Sequence, residues 1–417
     1  MKQLLVSGES FSKIDKKLGS SNYSYAFARQ KMLRSIAINF KITFIQDPCF
    51  FNSNQSFSIV PDNTEIHVAF SSSSEFRLVK GMKNVIAFAW EFDVISDEDL
   101  YALNPFDNMK RMLTLADQIW ATSNYTKTIL EKCGLDNVVL IPAPIEAPKL
   151  NRESEKNITQ LSKIVVSELK LNTWFDYRTY KLPISLNSTF FAENDKILNA
   201  IEKNSLYLTI LNPHDKRKNL INLIAGFEAF SKENSNAVLM IKFVISSSSF
   251  NHEDFVIDNI LPVYPDYFSV KSKSILFFFD YLDETQMSAL YNVSTFYLCA
   301  SISEGQNLPL LESMIHGCIP VTTAGTAMKD YINGDNSVLI NVRRRKSLIR
   351  GLAGNMTSHE HFIEQARASD IFFALQHSIK LSTEQRSKKS SSAVETVHER
   401  YDVDKIAIDI DSSLSSL

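Results

Sequence analysis

The feature that most constrains the fold is the alternation of short apolar segments with segments of helical periodicity, which occurs in two rounds along the chain. The first round begins with KQLLVSG, continues through the helical pattern YSYAFARQKMLRSIAIN, and returns to short apolar runs in EIHVAF and NVIAFAWEF. The second begins at LYLTILN and repeats the scheme through CIPVTT. Short buried strands that alternate with helices indicate a parallel sheet covered on both faces. The sequence therefore predicts the α/β class, with two Rossmann-like, doubly wound domains that face a cleft.

The two rounds are separated by residues 146–204, where no clear period is present. We therefore predict an N-terminal Rossmann-like domain at residues 1–145, a linker or insertion at 146–204 and a C-terminal Rossmann-like domain at 205–375. Residues 376–417 are polar, and we expect them either to fray or to form a helix that packs back on the N-terminal domain. Ligands of such sheets bind outside the carboxyl ends of the strands, so the chemistry is expected in the cleft.

Composition excludes several classes of function. The chain has 44 Lys and Arg against 47 Asp and Glu, and its net charge of -3 provides no general attraction to nucleic acid. No apolar run approaches the roughly 18 to 20 residues of a membrane span, and the start is too polar for a secretory signal. The four cysteines show no CxxC spacing, which is typical of reduced thiols in apolar surroundings. We therefore predict a cytoplasmic protein with no nucleic-acid partner.

The beginning of the chain is locally basic. The cations in this region are Lys13, Lys16, Lys17, Arg29, Lys31 and Arg34. They predict a weak peripheral contact between the N-terminal domain and the inner face of an anionic membrane that carries a lipid-linked acceptor. Because Glu9 and Asp15 dilute this charge, a solvated face is the alternative.

The stretch SISEGQNLPLLESMIHGCIPVTT carries the clearest chemical signal. Glu304 follows a predicted strand, and Glu312 falls one turn into the helix that comes next. Asn307 suits the N-cap, Pro309 suits the first turn, and Gly317 stops the helix. Four backbone amides then cluster at the positive helix terminus and suit a phosphate; they belong to Gly305, Gln306, Asn307 and Leu308.

Two carboxylates around a phosphate-binding helix terminus match a nucleotide sugar. Carboxylates accept hydrogen bonds from sugar hydroxyls, while backbone donors hold the diphosphate. The alternative is structural, with Glu312 complementing the helix dipole and Glu304 a solvated loop acid. Spacing alone leaves both interpretations open.

The residues from Glu304 to Val321 resemble the signature of two glutamates separated by seven residues in retaining glycosyltransferases of the GT-B fold, in the large family four grouping. Four further segments resemble that family in order along the chain: NVIAFAWEFD, IWATSNYTKTILEKCGLDNVVLIPAPI, DKRKNLINLIAGFEAF and AMKDYINGDNSVLI. Together the matched segments cover most of residues 84–145 and 206–340.

The resemblance implies a role for each matched residue. Glu304 contacts hydroxyls of the donor sugar and Glu312 the nucleotide ribose, with the amides after Gly305 near the phosphates. Arg217 and Lys218 neutralise the diphosphate as it leaves. The donor is a nucleoside diphosphate sugar that serves as substrate, and no cofactor is implied.

The chain departs from the family at one basic position. The family places an arginine shortly before the lysine, where this sequence has Asn212 and Pro213. Asn212 is kept as a donor-binding candidate, and Arg217 or Lys216 has to replace the missing arginine if its role survives. The alternative for DKRK is a solvated helix start.

Four residues near predicted strand ends of the first domain are acceptor-side candidates: Ser7, Gly8, His67 and Glu91. Glu91 is expected to act as base or orienter, whereas a satisfied, half-buried histidine is the alternative for His67. A single glycine after the first strand, without GxGxxG, argues against a dinucleotide dehydrogenase. Two DxD pairs occur in the polar C-terminal segment, where a solvated tail is expected, and we predict no metal site.

Together with this resemblance, the sequence leads us to expect a metal-independent, retaining transfer of a hexose from a nucleoside diphosphate sugar to a glycan or glycolipid acceptor, in surface polysaccharide assembly. The resemblance implies a front-face attack in which the leaving phosphate helps to take the proton of the acceptor. Two alternatives stay open. One is an inactive relative that serves as a glycan-binding or scaffold subunit, and the other is a sugar phosphorylase or epimerase on the same fold.

Overall fold

The structure is a computed structural model, which describes residues 2–8, 21–46, 48, 63–71, 76–95, 108–147, 197–244, 274–278, 281–350 and 358–417. Most of the predicted linker at 146–204 lies outside these ranges, as do the basic residues Lys13, Lys16 and Lys17. The segment LYALNPFDNMKRMLTLAD has the periodicity of a helix, and its first eight residues also lie outside these ranges.

The first part of the chain forms a six-stranded parallel sheet. Its strands are β1 Lys2–Gly8, β2 Phe40–Ile45, β3 Ile66–Phe70, β4 Lys83–Phe88, β5 Gln118–Ala121 and β6 Val138–Leu140. They are ordered β2-β1-β3-β4-β5-β6, with parallel pairing throughout. The helices that accompany this sheet are α1 Ser21–Asn39, α2 Met109–Leu115 and α3 Asn124–Lys132. Helix α3 begins where Ser123 accepts a hydrogen bond from the Thr126 amide.

The second part repeats this architecture with another six-stranded parallel sheet. Its strands are β7 Leu206–Leu211, β8 Val238–Phe243, β9 Ile275–Phe278, β10 Phe296–Cys299, β11 Ile319–Thr322 and β12 Val338–Leu339. They are ordered β12-β11-β10-β7-β8-β9, so the chain starts in the middle and winds towards both edges. The helices between these strands are α4 Leu220–Glu233, α5 Glu284–Val293 and α6 Leu308–Ile315.

A hairpin and three helices follow the second sheet. The antiparallel hairpin consists of β13 Arg343–Arg350 and β14 Ser358–Gln365. The helices are α7 Ala368–Ile379, α8 Thr383–Tyr401 and α9 Val403–Ser415. Among the described helices, none has the length together with the apolarity that crossing a membrane requires.

The last two helices pack on different sheets. Ala393 and Val397 of α8 belong to the core of the second sheet. Ile406, Ile410 and Leu414 of α9 belong to the core of the first. Their spacing of four residues places them on one face of α9. The chain therefore leaves the first half, builds the second, and returns to complete the core of the first.

The structure confirms the two parallel α/β sheets, and it differs from the sequence prediction locally. The segment AMKDYING follows the last apolar run CIPVTT, and the alternation of the second round predicts a helix there, but the structure has a 3₁₀ turn, Thr326–Asp330. Thr326 adopts a left-handed φ of 48° there, which an α-helix does not allow. The hairpin was not predicted, because the strand Arg343–Arg350 begins with consecutive cations instead of apolar and polar residues in alternation.

The C-terminal DxD pairs lie in helical structure instead of a loose tail. Asp402 is the N-cap of α9, and its carboxylate accepts hydrogen bonds from the amides of Asp404 and Lys405. The Asp402 carboxylate thus pairs two backbone N–H groups of the first helical turn, which have no acceptor within the helix. The first acidic pair therefore has a local structural role.

Candidate functional site

A cleft of about 1570 Å³ lies between the two sheets. Ile210 and Leu211, at the end of β7, line it from one domain, and Ala89 and Glu91, just after β4, line it from the other. The carboxyl ends of parallel strands are where open α/β sheets bind their ligands. The cleft is large enough for a nucleotide sugar, since pockets for drug-sized ligands occupy roughly 300 to 1,000 Å³.

Glu304 lies at the bottom of this cleft, in the loop that leaves β10. Its carboxylate accepts a hydrogen bond from the Lys218 ammonium at 2.6 Å, and the residue is only 5% exposed. The Thr326 hydroxyl holds the backbone of Glu304 through two hydrogen bonds. It accepts one from the Glu304 amide at 2.8 Å and donates the other to the Glu304 carbonyl oxygen at 3.0 Å. Glu304 is therefore fixed and charge-paired, so the interpretation as a solvated loop acid is wrong.

Lys218 is positioned by a tight basic turn, Lys216–Lys218. Asp215 caps the turn by accepting a hydrogen bond from the Arg217 amide at 3.0 Å. Asn219 ends it in the left-handed region, with φ of 55°, before α4 begins. The DKRK segment is thus a 3₁₀ turn at the cleft, not a solvated helix start.

Two of the three cations of the basic turn, Arg217 and Lys218, are held in the charged form. Burial disfavours the charged form of Lys218, but the carboxylate of Glu304 outweighs that cost and raises the pKa of the lysine. Burial also acts against charged Arg217, and the carboxylates of Glu91 and Asp215 raise its pKa above the usual value. Because carboxylates surround them, both cations stay charged at physiological pH.

Arg217 also connects the two domains. Its guanidinium pairs with Glu91 of the first domain at 2.7 Å and with its neighbour Asp215 at 2.8 Å. Its carbonyl oxygen accepts a hydrogen bond from the Ile302 amide at 2.7 Å, two residues before Glu304. The turn and the Glu304 loop are therefore one connected unit, and Glu91 faces it from across the cleft.

The loop after Glu304 touches the first domain directly. A β-carbon at Gly305 would lie 2.9 Å from that of Ala89, so only glycine fits this approach. The Gly305 carbonyl accepts a hydrogen bond from the Thr122 hydroxyl at 3.0 Å. The side-chain amide of Gln306 exchanges two hydrogen bonds with the backbone of Ala143, at 2.8 and 3.0 Å. These contacts hold the loop against the first domain.

Asn307 and Leu308 start α6, although Asn307 does not cap it in the predicted way. Asn307 has a left-handed φ of 65°, and no side-chain cap bond is formed. Its side-chain amide instead lies 3.3 Å from the Cys299 sulfur and 3.5 Å from the Met328 sulfur. Leu308 packs against the cores of both sheets. What this segment offers a phosphate is consequently its backbone amides and not its side chains.

Glu312 lies one turn further along α6 and also lines the cleft. Its carboxylate pairs with the Lys31 ammonium at 2.6 Å and accepts a hydrogen bond from the Tyr291 hydroxyl at 3.0 Å. Burial, followed by the charge of Glu312, raises the pKa of Tyr291 and keeps its hydroxyl a donor. Glu312 thus binds side chains of α1 and α5, so its role is not limited to a favourable interaction with the dipole of its own helix.

Lys31 is a cleft residue that the sequence analysis assigned to a basic outer face. Arg34, one turn later on α1, also lines the cleft and pairs with Glu146 and, at 3.4 Å, with Glu284. Arg29 is only 3% exposed. Of the three described cations of the N-terminal cluster, Arg29 is therefore buried, whereas Lys31 and the half-exposed Arg34 border the cleft. No local signal in the sequence distinguishes these positions from a solvated helix face.

Ser7 and His67 form a buried network inside the first sheet. The His67 ring lies 2.8 Å from the Ser7 hydroxyl and 2.9 Å from the Asn84 side-chain oxygen, so it links β1, β3 and β4. His67 is fully buried, and burial lowers its pKa to about 4, which keeps the ring neutral. The arrangement resembles a nucleophile and its base, but burial makes the Ser7 hydroxyl inaccessible to an acceptor.

Of the four acceptor-side candidates, Glu91 alone is among the residues that line the cleft in the described ranges. Gly8 is required by packing: a β-carbon there would lie 2.3 Å from the Phe70 carbonyl oxygen, and its φ is 147°. The donor-side candidate Asn212 does line the cleft, and its side chain accepts a hydrogen bond from the His214 amide at 3.0 Å. Within the described residues, no three His, Cys, Asp or Glu side chains group together as a metal site.

Comparison with known proteins identifies the architecture. No protein-family model and no curated protein matches the sequence. Among solved structures, sucrose-phosphate synthase from Thermosynechococcus elongatus aligns with a TM-score of 0.59 and 11% identity, covering 100% of this chain and 99% of that one. The E. coli trehalose-6-phosphate protein bound with UDP-2-fluoro glucose aligns with a TM-score of 0.57 and 11% identity, with coverage of 100% and 99%.

A third similar structure is a point mutant of S. aureus TarM in complex with fondaparinux, α-GlcNAc-glycerol and UDP, with a TM-score of 0.52 and 13% identity. The alignment covers 84% of this chain and 55% of TarM, so this chain spans about half the TarM length. All three structures share the two-domain architecture described above. The protein therefore has the GT-B fold that the sequence predicted.

Proposed function

We propose that the protein transfers a hexose from a nucleoside diphosphate sugar to a glycan or glycolipid acceptor. The observation that carries this proposal is the buried pair of Lys218 and Glu304 at the bottom of the cleft, beside the N-terminus of α6. A carboxylate for sugar hydroxyls, a permanent cation and the start of a helix are thereby combined within one hydrogen-bonded unit.

The reaction explains why the cations are needed. As the bond between the sugar C1 and the diphosphate oxygen breaks, negative charge accumulates on the leaving group. Lys218 and Arg217 stand where that charge would develop, and groups held ready in a water-poor cleft stabilise it selectively in the transition state. Two cations of this kind supply the charge that a divalent metal supplies elsewhere, so we propose a reaction without metal.

The donor orientation follows from the two carboxylates. Glu304, next to the cations, accepts hydrogen bonds from the hexose, and Glu312, one turn into α6, accepts them from the ribose. A structure of this fold has been solved with UDP-2-fluoro glucose and another with UDP, which supports a uridine nucleotide as the first donor to test. Retention of configuration and a place in surface polysaccharide assembly are parts of the same proposal.

The donor is tested by thermal unfolding with UDP, GDP and ADP, followed by turnover of the matching nucleotide sugars. A nucleotide at one hundred times its dissociation constant stabilises the folded protein by about 2.7 kcal/mol, which raises the melting temperature. Release of the nucleoside diphosphate measures turnover, and proton NMR of the first-formed product shows which anomer arises. Failure of all three nucleotides to raise the melting temperature would contradict the proposal, and an inverted anomer would contradict retention.

The role of Glu304 is tested with Glu304→Gln, which keeps the shape of the side chain and removes its charge. Turnover is expected to fall at least a hundredfold while UDP still binds, because the diphosphate is held by Lys218, Arg217 and backbone amides. Glu395→Gln on the exposed face of α8 is the matched control and should leave turnover unchanged.

The inactive glycan-binding relative is a second candidate. It is favoured by the missing arginine at Asn212 and Pro213, and by the lysine partners that already occupy Glu304 and Glu312. Binding of UDP and of its sugar without any release of nucleotide, across a panel of glycan acceptors, would support this candidate. Dependence of turnover on inorganic phosphate would instead indicate a phosphorylase.

A further inference from the structure

A second, smaller cavity of about 260 Å³ adjoins the cleft. Glu91 lines both spaces, so its carboxylate marks their boundary. Asp93 and Tyr125 contribute to the cavity from the first domain, and Ser303 and Thr326 contribute from the second. The volume lies just below the roughly 300 to 1,000 Å³ of pockets for drug-sized ligands, which suits one sugar ring better than a nucleotide.

The outer wall of this cavity is the hairpin formed by β13 and β14. The Phe362 amide of β14 donates a hydrogen bond to the Asp93 carboxylate at 3.1 Å, which ties the hairpin to the first domain. Glu364 pairs with Lys329 at 3.3 Å, which ties it to the second. The cavity is therefore enclosed by both domains and by an element outside the two sheets.

The register of the hairpin decides which cations face the cavity. Arg344 is paired with Glu364, and Lys346 with Phe362, and directly opposed residues share one face of an antiparallel pair. Arg344, Phe362 and Glu364 line the cavity. Arg343, Arg345 and Lys346 are not among the lining residues, although Ile363, which is paired with Arg345, also reaches the cavity.

Two cations line the cavity, Lys329 and Arg344, and because Lys329 pairs with Glu364, Arg344 is the one that we assign to a ligand. Its guanidinium carbon lies 4.2 Å from the centre of the Phe362 ring, and that ring is 46% exposed. Within the described part of the chain, no carboxylate lies within ion-pairing distance of Arg344. The three carboxylates that line the cavity have other partners. Glu91 pairs with Arg217, Glu364 pairs with Lys329, and Asp93 accepts the hydrogen bond from the Phe362 amide. An arginine stacked on an aromatic ring keeps its planar donors available for a phosphate or a carboxylate.

The cavity also reaches the reaction centre proposed above. Ser303 lines it and directly precedes Glu304, and Thr326 lines it while holding the Glu304 backbone. A sugar ring in the cavity would thus lie beside the Glu304 loop, with Glu91 at the opening between the cavity and the donor cleft.

We infer that this cavity is an acceptor subsite for an anionic sugar, an inference that rests on the proposed function. Arg344 binds the phosphate or carboxylate of the sugar, and Phe362 and Tyr125 provide aromatic surface for its ring. In the transfer, the C1–O bond to the diphosphate breaks and a C1–O bond to the acceptor oxygen forms. The acceptor proton goes to the released diphosphate, so no further reactant is needed.

The subsite is tested by calorimetric titration with glucose 6-phosphate, glucuronic acid and glucose. The wild-type protein is expected to bind at least one anionic sugar about tenfold more tightly than glucose, since one charge-assisted contact contributes about 1.4 kcal/mol or more. A preference between the two anionic probes distinguishes phosphate from carboxylate as the recognised group. Equal affinity for all three probes, or no binding of any, overturns the inference.

The hairpin provides its own control. Arg344→Gln should reduce the affinity for the anionic sugar to that for glucose, whereas Arg343→Gln removes the same charge from the adjacent position of β13, outside the cavity lining, and should change the affinity less than twofold. An equal loss in both variants would indicate a general charge effect and overturn the inference. UDP is titrated separately into all three proteins. If the wild-type protein binds the anionic sugar but does not bind UDP, the proposed function is contradicted and the anionic-sugar site is still supported.

Discussion

The two halves of the molecule are built on the same strand-and-helix scheme, yet they use the polar groups near their strand ends differently. In the first domain, Ser7 and His67 bond to each other within the sheet and link its strands. In the second, Lys218 and Glu304 bond to each other in the cleft, on loops beyond β7 and β10. Both pairs are closely hydrogen bonded, but only the second pair borders a space that a ligand can enter.

The difference shows what turns a polar strand end into a site. Ser7 and His67 are themselves strand residues, so their side chains are surrounded by neighbouring strands. Glu304 and Lys218 come several residues after their strands end, in loops that lead directly into α6 and α4. A loop that leads into a helix start carries its side chains away from the sheet and beside unpaired amides.

Replacement of Lys218 should have the largest effect, because it tests directly whether the pair in the second domain acts on a ligand. Lys218→Ala is expected to reduce turnover by roughly a hundredfold to a thousandfold, about 3 to 4 kcal/mol, because a cation at the leaving group is lost. Lys216→Ala removes an exposed lysine from the same turn and should leave turnover within twofold.

Both lysine variants are checked by circular dichroism and thermal unfolding, since loss of Lys218 leaves Glu304 buried without its partner. Lys218→Arg restores the charge and should recover part of the turnover. Equal losses in the alanine variants at positions 216 and 218 would show that general charge, not this pair, is what matters.

Acid should destabilise the first domain through His67. The folded pKa of about 4 is below the ordinary value of 6.5, so between these values the unfolded chain binds more protons. Stability from this group is complete above pH 6.5 and decreases as the pH falls towards 4, by on the order of 2 to 3 kcal/mol at pH 4.5. Urea unfolding of the wild type and of His67→Gln at pH 7 and pH 4.5 measures the free energy of unfolding of both proteins.

The stability difference between wild type and His67→Gln should narrow in acid, whereas turnover per folded molecule at pH 7 should be the same for both. A constant difference at the two pH values would mean that the ring is not buried in its neutral form.

Removal of the Ser7 hydroxyl should have a smaller effect, confined to stability. Ser7→Ala leaves one nitrogen of His67 without its partner, which should cost about 1 to 2 kcal/mol of unfolding free energy. Turnover and the Michaelis constants should stay within twofold of wild type. A selective rise in the Michaelis constant for an acceptor would instead show that the first domain uses its strand ends as the second does.

The smallest effect is expected at Glu91, where the two halves meet. Glu91→Gln removes the ion pair with Arg217, which is partly exposed on both sides and has a second partner in Asp215. Partly exposed pairs contribute little, so unfolding free energy should change by less than about 1 kcal/mol, and the change should shrink further in high salt. Turnover reduced more than tenfold would assign Glu91 a direct part in the transfer.

Much of the fold could be predicted from local sequence pattern. The alternation of apolar runs and helices was sufficient for both parallel sheets, and the Ser123 cap of α3 follows from the type of residue at a helix start. The position of Glu304 at a strand exit and of Glu312 in the helix also follows from local periodicity. These features depend on residues that are close together along the chain.

Other parts depend on contacts between distant residues and left no local signal. Lys31 meets Glu312 only because α1 and α6 face each other across the cleft. Asn307 has a suitable residue type for an N-cap, but its left-handed backbone directs the side chain to two sulfurs. The cationic strand β13 has the sequence pattern of a solvated loop. Its strand structure depends on pairing with β14 and on the contact between Arg344 and the Phe362 ring, and neither is visible in the local sequence.

Helix α9 has a consequence for how the protein is made. The Trp120 indole of β5 donates a hydrogen bond of 2.8 Å to the Ser413 hydroxyl of α9, across 293 positions of the chain. Ribosomes add roughly 5 to 20 residues per second, so roughly 15 to 60 s separate the synthesis of these two partners. During translation the N-terminal lobe therefore emerges with part of its core uncovered, and we expect it to be held by chaperones until α9 arrives.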